Sequence, residues 1–283
     1  MNNHRTDNRR PLQAVIQRFA TPLLIVATCW LPPAGADSQD TRAQHCSAAA
    51  PPAVGGAPAA LSGTLEILSW NIQKASNSGW SEDLTGLGQG VNLAFIQEAS
   101  LQAQIPTVLG GLLHPAFAAG YRSGALETGV MTLSSSAPSL DCAFTSMEPW
   151  LGTPKATSVT EFALADRQDT LLAINLHAVN FALGLEDFEQ QFRGLDELLA
   201  SHEGPVILAG DLNTWSDQRQ AWVDEFTGKY GLGAVSFSPD LRSTVFGRAL
   251  DHIYVRGMRT LDARVVAVST SDHNPLRVSL SLD

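Results

Sequence analysis

The sequence predicts an α/β layered domain over residues 64–283, on three observations. From Thr64 onward, short apolar runs of strand length alternate with stretches of helical spacing. Those runs are apolar at consecutive positions, as strands buried on both faces are, and such strands need helices to cover them. No internal repeat and no second linker interrupts the span, so it reads as one domain. A doubly wound nucleotide-binding arrangement is excluded, because no glycine-rich phosphate loop follows any of the runs.

In chain order, residues 1–36 read as an export signal. Arg5, Arg9, Arg10 and Arg18 make a positive leader, residues 19–31 are mostly apolar, and Ala34-Gly35-Ala36 offers small residues for cleavage. Pro22 and the shortness of the apolar run argue against a spanning helix. The expected location is periplasmic or secreted; the alternative is an uncleaved anchor holding the domain outside the cytoplasm. Residues 37–63 are rich in Ala, Pro and Gly without periodicity and read as a linker or mobile arm. Strands are predicted at 65–70, 93–96, 129–133, 170–176, 206–209, 251–255 and 276–282. One helix is predicted over 185–200, where Leu185, Phe188, Phe192, Leu195, Leu198 and Leu199 form an apolar stripe. Gly204-Pro205 punctuates before the next strand. Past the signal the chain keeps Cys46 and Cys142, an even count that permits one disulfide between tail and domain, or two free thiols.

Polar words close five of the strands. Asn71 ends the first, Gln97-Glu98 the second, and His177, with Asn180 close behind, the strand over 170–176. Gly210-Asp211-Leu212-Asn213 follows the strand at 206–209, and Ser271-Asp272-His273-Asn274-Pro275 introduces the last. Each has a plain structural alternative. Asn71 suits a turn, Glu98 a helix N-terminus, His177 a core position, and Asp211 with Asn213 a capped turn. Asp251, beside His252, could be a surface residue at a strand start. Their joint occurrence at the rim where α/β enzymes gather catalytic side chains is what a purely structural account does not require. An Asp-His pair at a strand mouth suits metal-assisted hydrolysis, one group holding charge and the other moving or stabilising a proton.

The ordered blocks Trp70-Asn71-Ile72-Gln73, Phe95-Ile96-Gln97-Glu98, Gly129-Val130-Met131-Thr132-Leu133-Ser134, Asn175-Leu176-His177, Gly210-Asp211-Leu212-Asn213, Leu250-Asp251-His252-Ile253 and Ser271-Asp272-His273-Asn274-Pro275 resemble the endonuclease/exonuclease/phosphatase superfamily. The resemblance covers essentially all of 64–283, and His177-Ala178-Val179-Asn180-Phe181 with the Gly129 block looks closest to its bacterial YafD-like branch. It implies a four-layer sandwich of two mixed sheets flanked by helices, DNase I-like, with a Mg²⁺-dependent phosphodiesterase or phosphatase site at one edge. Mn²⁺ is the alternative cation. Through it Asn71, Glu98 and Asp272 are expected near the metal. Asp211 is expected to orient or deprotonate water, Asn213 to contact the phosphate, His177 to contact the phosphate or leaving group, and Asp251 to orient His273.

Elementary chemistry fits those roles. Mg²⁺ takes hard oxygen ligands and keeps several waters, so Glu98 with Asp272 suffices. His273 held by Asp251 keeps its proton more readily, and His177 could act likewise on another face. Glu127, just before a neighbouring strand, could partner His177. Trp80, Trp150, Trp215 and Trp222 could line a cleft or pack into the core. The formal net charge of −10 excludes avid non-specific nucleic-acid binding through a basic surface, and the glycine-rich stretch 78–90 is no basic clamp. The expected function is a monomeric metal-dependent phosphoester hydrolase, first a nuclease and second a lipid or small-molecule phosphodiesterase or phosphatase. A binding module without activity is the remaining alternative.

Overall fold

A computed structural model describes residues 43–48 and 60–282, apart from 113, 150 and 183. The expectations for the leader and for Trp150 fall outside these residues. One sheet has seven strands in the order β1 (Ala43–Ala48), β6 (Leu140–Glu148), β7 (Thr153–Ala163), β8 (Thr170–His177), β9 (Val206–Asp211), β13 (Asp251–Arg256) and β10 (Gly233–Ala234). The other has six, β14 (Arg259–Val265), β15 (Leu276–Ser281), β2 (Thr64–Asn71), β3 (Leu93–Ser100), β5 (Leu126–Ser134) and β4 (His114–Ser123). A hairpin of β11 (Thr244–Val245) and β12 (Arg248–Ala249) stands apart from both. Pairs β8–β9 and β2–β3 are parallel, and the other pairs in the two large sheets are antiparallel, so both are mixed.

Period-two alternation explains the layering. On β2 Leu65 and Ile67, on β3 Leu93 and Phe95, on β8 Leu171 and Ala173, and on β9 Ile207 and Ala209 form one buried core between the sheets. The intervening residues face outward. Leu172, Ile174, Leu176, Val206 and Leu208 meet α3 (Glu186–Arg193), α4 (Asp196–Ser201) and α5 (Asp217–Lys229) through Phe188, Phe192, Leu195, Leu199, Val223 and Phe226. Leu68, Trp70, Ala94 and Ile96 meet α1 (Trp80–Leu87) and the single turn α2 (Ile105–Val108) through Leu84 and Ile105. The architecture is the four-layer α/β/β/α sandwich, with all seven predicted strands present.

Two expectations change. The helix predicted over 185–200 is two helices, because Gly194 ends α3 and Leu195 then bonds back to Phe192 in a tighter turn. The apolar stripe survives the break, since Phe188, Phe192, Leu195 and Leu199 share one core. The segment read as a mobile arm contains β1, which pairs antiparallel with β6 and places Cys46 opposite Cys142. The two sulfurs form a disulfide across 96 residues of sequence. Closing so long a loop constrains the unfolded chain, an effect of about 2–4 kcal/mol. Urea unfolding with and without a reductant should therefore show the reduced protein less stable by about that amount. Coincident curves from samples whose thiol content confirms oxidised and reduced states would count against the bond's structural role.

Candidate active site

The site lies where the inter-sheet face of the strands turns from apolar to polar. Along β8 the inward positions run Leu171, Ala173, Asn175, His177; along β9, Ile207, Ala209, Asp211; along β13, Ile253 and Asp251; along β2, Leu65, Ile67, Ser69, Asn71. Register then sets three of them abreast, because His177 pairs with Asp211 across β8–β9 and Asp251 pairs with Asp211 across β9–β13. Below them Gln97 and Asn175 tie the sheets together. The Gln97 amide donates to Asn175 Oδ1 (2.8 Å), and the Asn175 amide donates to the Met131 carbonyl (3.1 Å).

Asp211 is buried, and its carboxylate is the hub. Asn71 Nδ2 donates to Oδ2 (3.0 Å) and the Asn213 backbone N–H to Oδ1 (3.1 Å). His177 Nε2 and His273 Nε2 stand 3.5 and 3.8 Å from Oδ2. Burial, reinforced by the Asp251 charge, raises the Asp211 pKa to about 6 against the pull of His273. On the far side His273 Nδ1 lies 2.8 Å from Asp251 Oδ2. Burial opposes charge on this imidazole, but Asp251, through charge and hydrogen bond, and then Asp211 outweigh it and push the pKa to about 10. His273 is thus an imidazolium at neutral pH. Its main chain is placed from β2: Trp70 Nε1 donates to the His273 carbonyl (2.9 Å), and the Ser271 hydroxyl, donating to the Asn71 carbonyl (2.7 Å), accepts from the His273 N–H (3.2 Å).

His177 differs from His273. Burial and the charges of Lys155, His273 and Lys74 hold its pKa well below the usual value. His177 Nε2 lies 3.1 Å from Lys155 Nζ and 3.5 Å from Asp211 Oδ2, so this nitrogen meets a donor on one side and an acceptor on the other. His177 thus faces the cleft where a contact with the phosphate or leaving group was expected of it, and its lowered pKa favours the neutral imidazole there. Glu127 is not its partner, being paired with Arg122.

Glu98 reaches the cleft by a departure from strand geometry. Strand parity would send it outward with Ala94 and Ile96, but the β3 register shifts between Ile96 and Ala99 and Glu98 adopts φ 49°. Its carboxylate, half-buried, meets the Lys74 ammonium at 3.0 Å. Asn71, Glu98, His177, Asp211, Asn213, Asp272 and His273 line one cleft of about 600 Å³, with Asp251 behind His273. The eight residues singled out in the sequence thus surround one space.

The loop after His177 is fixed by side chains that sequence reasoning passed over. Gln191 Oε1 accepts from the Val179 N–H (2.8 Å), and Glu148 Oε1 accepts from those of Asn180 (2.8 Å) and Phe181 (2.9 Å). Arg219 donates to the carbonyls of Val179 (2.8 Å), Asn213 (3.1 Å) and Asn180 (2.8 Å). Its guanidinium lies 4.5 Å from the ring centroids of both Phe188 and Trp215. Of the tryptophans, Trp215 lines the cleft and donates to Asn180 Oδ1 (2.9 Å), whereas Trp80 and Trp222 pack in the two outer cores.

The model of the Endonuclease/Exonuclease/phosphatase family matches residues 68–273, a span that contains every one of these side chains. The chain belongs to the endonuclease/exonuclease/phosphatase family. A UPF0294 protein of Vibrio vulnificus is 38% identical over 222 residues, 78% of each chain. Among solved structures, the mannosyl-6-phosphatase Bt3783 of Bacteroides thetaiotaomicron shares the fold at TM-score 0.58 and 19% identity, covering 76% of this chain and 99% of its own. Sphingomyelinase C from Streptomyces griseocarneus does so at 0.54 and 17%, again over 76% and 99%. Endonuclease/exonuclease/phosphatase enzymes hydrolyse phosphoester bonds and generally depend on a divalent metal.

Lys155, Lys74, Glu148 and Arg219 lacked a sequence signal because each is an isolated charge amid ordinary strand, turn or helix residues. Burial disfavours charge on His273, and among the carboxylates that oppose it Asp251 contributes most, with Asp211 and Asp272 adding to it. An NMR titration of metal-free protein should show the His273 ring protonated until about pH 10. In Asp251→Asn its midpoint should fall toward the ordinary histidine value of about 6.5. A midpoint near 6.5 already in the wild type would refute the pairing.

Proposed function

We propose that the protein is a Mg²⁺-dependent phosphodiesterase, and the observation that carries this reading is the buried Asp211–His273–Asp251 array facing Glu98 across one cleft. The donors fit a hard cation. The Glu98 carboxylate already attracts a cationic group, Lys74. Asp272 lies exposed on the same cleft, and Asn71 Oδ1 accepts one hydrogen bond from the Gln73 N–H (3.1 Å), which leaves a second lone pair. These three would hold Mg²⁺, or Mn²⁺ in its place. When bound, the ion supplies charge neutralisation on the phosphate and at the departing oxygen. Asp211, Asp251 and His273 also bring one potential ligand atom each to within 4.8 Å of one another. A proton on His273 competes with that use.

Asp211, ionised above about pH 6, aligns a water and takes its proton as the water oxygen bonds to phosphorus and the bond to the leaving oxygen breaks. One water is thereby divided between a phosphomonoester and an alcohol. His273, held by Asp251, donates from Nε2 to a non-bridging oxygen, and Asn213, with one amide hydrogen on the Ala178 carbonyl (2.9 Å), has its second available for the phosphate.

The cleft favours a compact or amphiphilic phosphodiester over a nucleic-acid strand. Its walls are Trp215, Val245, Leu250, Phe181 and Phe246, the last 87% exposed at the β11–β12 turn with its ring edge toward Trp215. Lys74 and Lys155 are single cations rather than a tract that would follow a backbone. The Cys46–Cys142 bond supports action in an oxidising compartment after export.

Purified protein should hydrolyse some member of a panel of DNA, RNA, sphingomyelin, inositol phosphates and chromogenic diesters with Mg²⁺, and stop with chelator. Asp211→Asn and His273→Ala should each lose about 10²- to 10⁴-fold in kcat while melting normally. The double variant should be little worse than the poorer single one. Wild-type kcat/KM should fall as pH drops through about 6, because Asp211 then gains a proton and can no longer accept one. Turnover that persists in both folded variants and in chelator would overturn the reading.

A further inference from the structure

We propose that the catalytic cleft has a second lobe, and that this lobe receives one uncharged, apolar ester arm of a phosphodiester. The inference rests on the phosphodiesterase reading and specifies its substrate. A second cavity of about 230 Å³ adjoins the first, and Glu98, Lys155, His177 and Phe181 line both. Beyond this neck its walls are Tyr121, Leu151, Pro154 and Ala156, with Glu148.

The neck is polar and each lobe has apolar walls. Lys155 gives one of its three N–H donors to His177 Nε2 at 3.1 Å and keeps two for a phosphate oxygen. A phosphorus centre at the neck would send one substituent past Trp215 and Phe246 and the other past Tyr121 and Leu151. A diester fills both lobes, whereas a monoester leaves one to water.

The lobe is built, not a gap left by a loose loop. Phe181 is 55% exposed and Leu151 59%, yet the backbone N–H groups of Asn180 and Phe181 both donate to Glu148 Oε1, at 2.8 and 2.9 Å. The same carboxylate accepts the Thr153 hydroxyl on Oε2 at 2.5 Å, fixing the start of β7 from which Pro154 and Lys155 project. Glu148 is itself 1% exposed. One buried side chain thus holds opposite walls of the lobe, and walls ordered in advance spare the ligand the cost of ordering them.

The test compares kcat/KM of the full-length protein, with saturating Mg²⁺, on bis(p-nitrophenyl) phosphate, methyl p-nitrophenyl phosphate and p-nitrophenyl phosphate. The leaving group is the same in all three and only the second arm changes. The wild type should prefer the bis-aryl diester to the methyl diester by about tenfold or more, and both to the monoester. Leu151→Trp, which fills the lobe from an exposed turn, should lower the bis-aryl to methyl ratio about tenfold. Phe181→Ala, which removes a wall, should lower the same ratio by a smaller factor, and melting curves verify that each variant is folded. A ratio unmoved in both variants, or a monoester turned over as well as the diesters, overturns the lobe assignment and leaves the hydrolase reading standing. No hydrolysis of any of the three by the wild type overturns the phosphodiesterase reading and the lobe with it.

Discussion

Keeping a carboxylate ionisable at the buried Asp211 position is the constraint around which the rest of the molecule is arranged. An isolated buried charge is disfavoured by several kcal/mol or simply takes up a proton. Here the Asn71 amide and the Asn213 N–H donate to it, and the His273 imidazolium, 3.8 Å away, offsets its charge. The imidazolium in turn is favoured most by Asp251, which accepts from its other nitrogen, with Asp211 and Asp272 adding to it. Asp211, His273 and Asp251 act as one electrostatic unit, in which Asp251 raises the pKa of both its neighbours. Asp211 and Asp251 come from the adjacent strands β9 and β13 of one sheet, and Asn71 and His273 from β2 and the approach to β15 in the other, so the array can form only after the two sheets have packed.

The second imidazole illustrates how position alone separates two like side chains. His177 and His273 both approach Asp211 Oδ2, at 3.5 and 3.8 Å. One is backed by a carboxylate and the other by the Lys155 ammonium. His273, beside the carboxylate, is therefore a cation that donates, while burial and the Lys155 charge favour the neutral form of His177. The site thus keeps positive charge on two sides of the space where a phosphate would lie, while the Asp211 carboxylate stays free to accept a proton.

Rigidity of the site comes from side chains bonded to backbone rather than from regular ladders. Arg219 rises from α5, passes between Phe188 and Trp215, and ends on three carbonyls of the segments that carry His177 and Asn213. Burial lowers its pKa to about 10, against the favourable charge of Glu148, and so it remains a cation at physiological pH. Glu148 and Gln191 satisfy the N–H groups of the same segment. Buried loop backbone is tolerated only when its polar groups are paired, and here the helical layer and the β6–β7 turn supply the partners.

What the sequence by itself determined is the set of layers and most of the site. Runs apolar at consecutive positions required sheets covered on both faces, and the period of two placed Asn71, His177, Asp211 and Asp251 on the same inward face as the core residues that precede them. Strand alternation is local physics, readable without a fold. Tertiary structure alone decided what depends on distant partners or on a break in the period. The bulge at Glu98 reverses the direction its parity predicts. Gly194 divides a helix whose apolar stripe is continuous, and a segment without periodicity becomes β1 because β6 offers it an edge and Cys142 a bond. Lys155, Glu148 and Arg219 matter through contacts with residues 22 to 40 positions away, at spacings that no helix or strand repeat encodes.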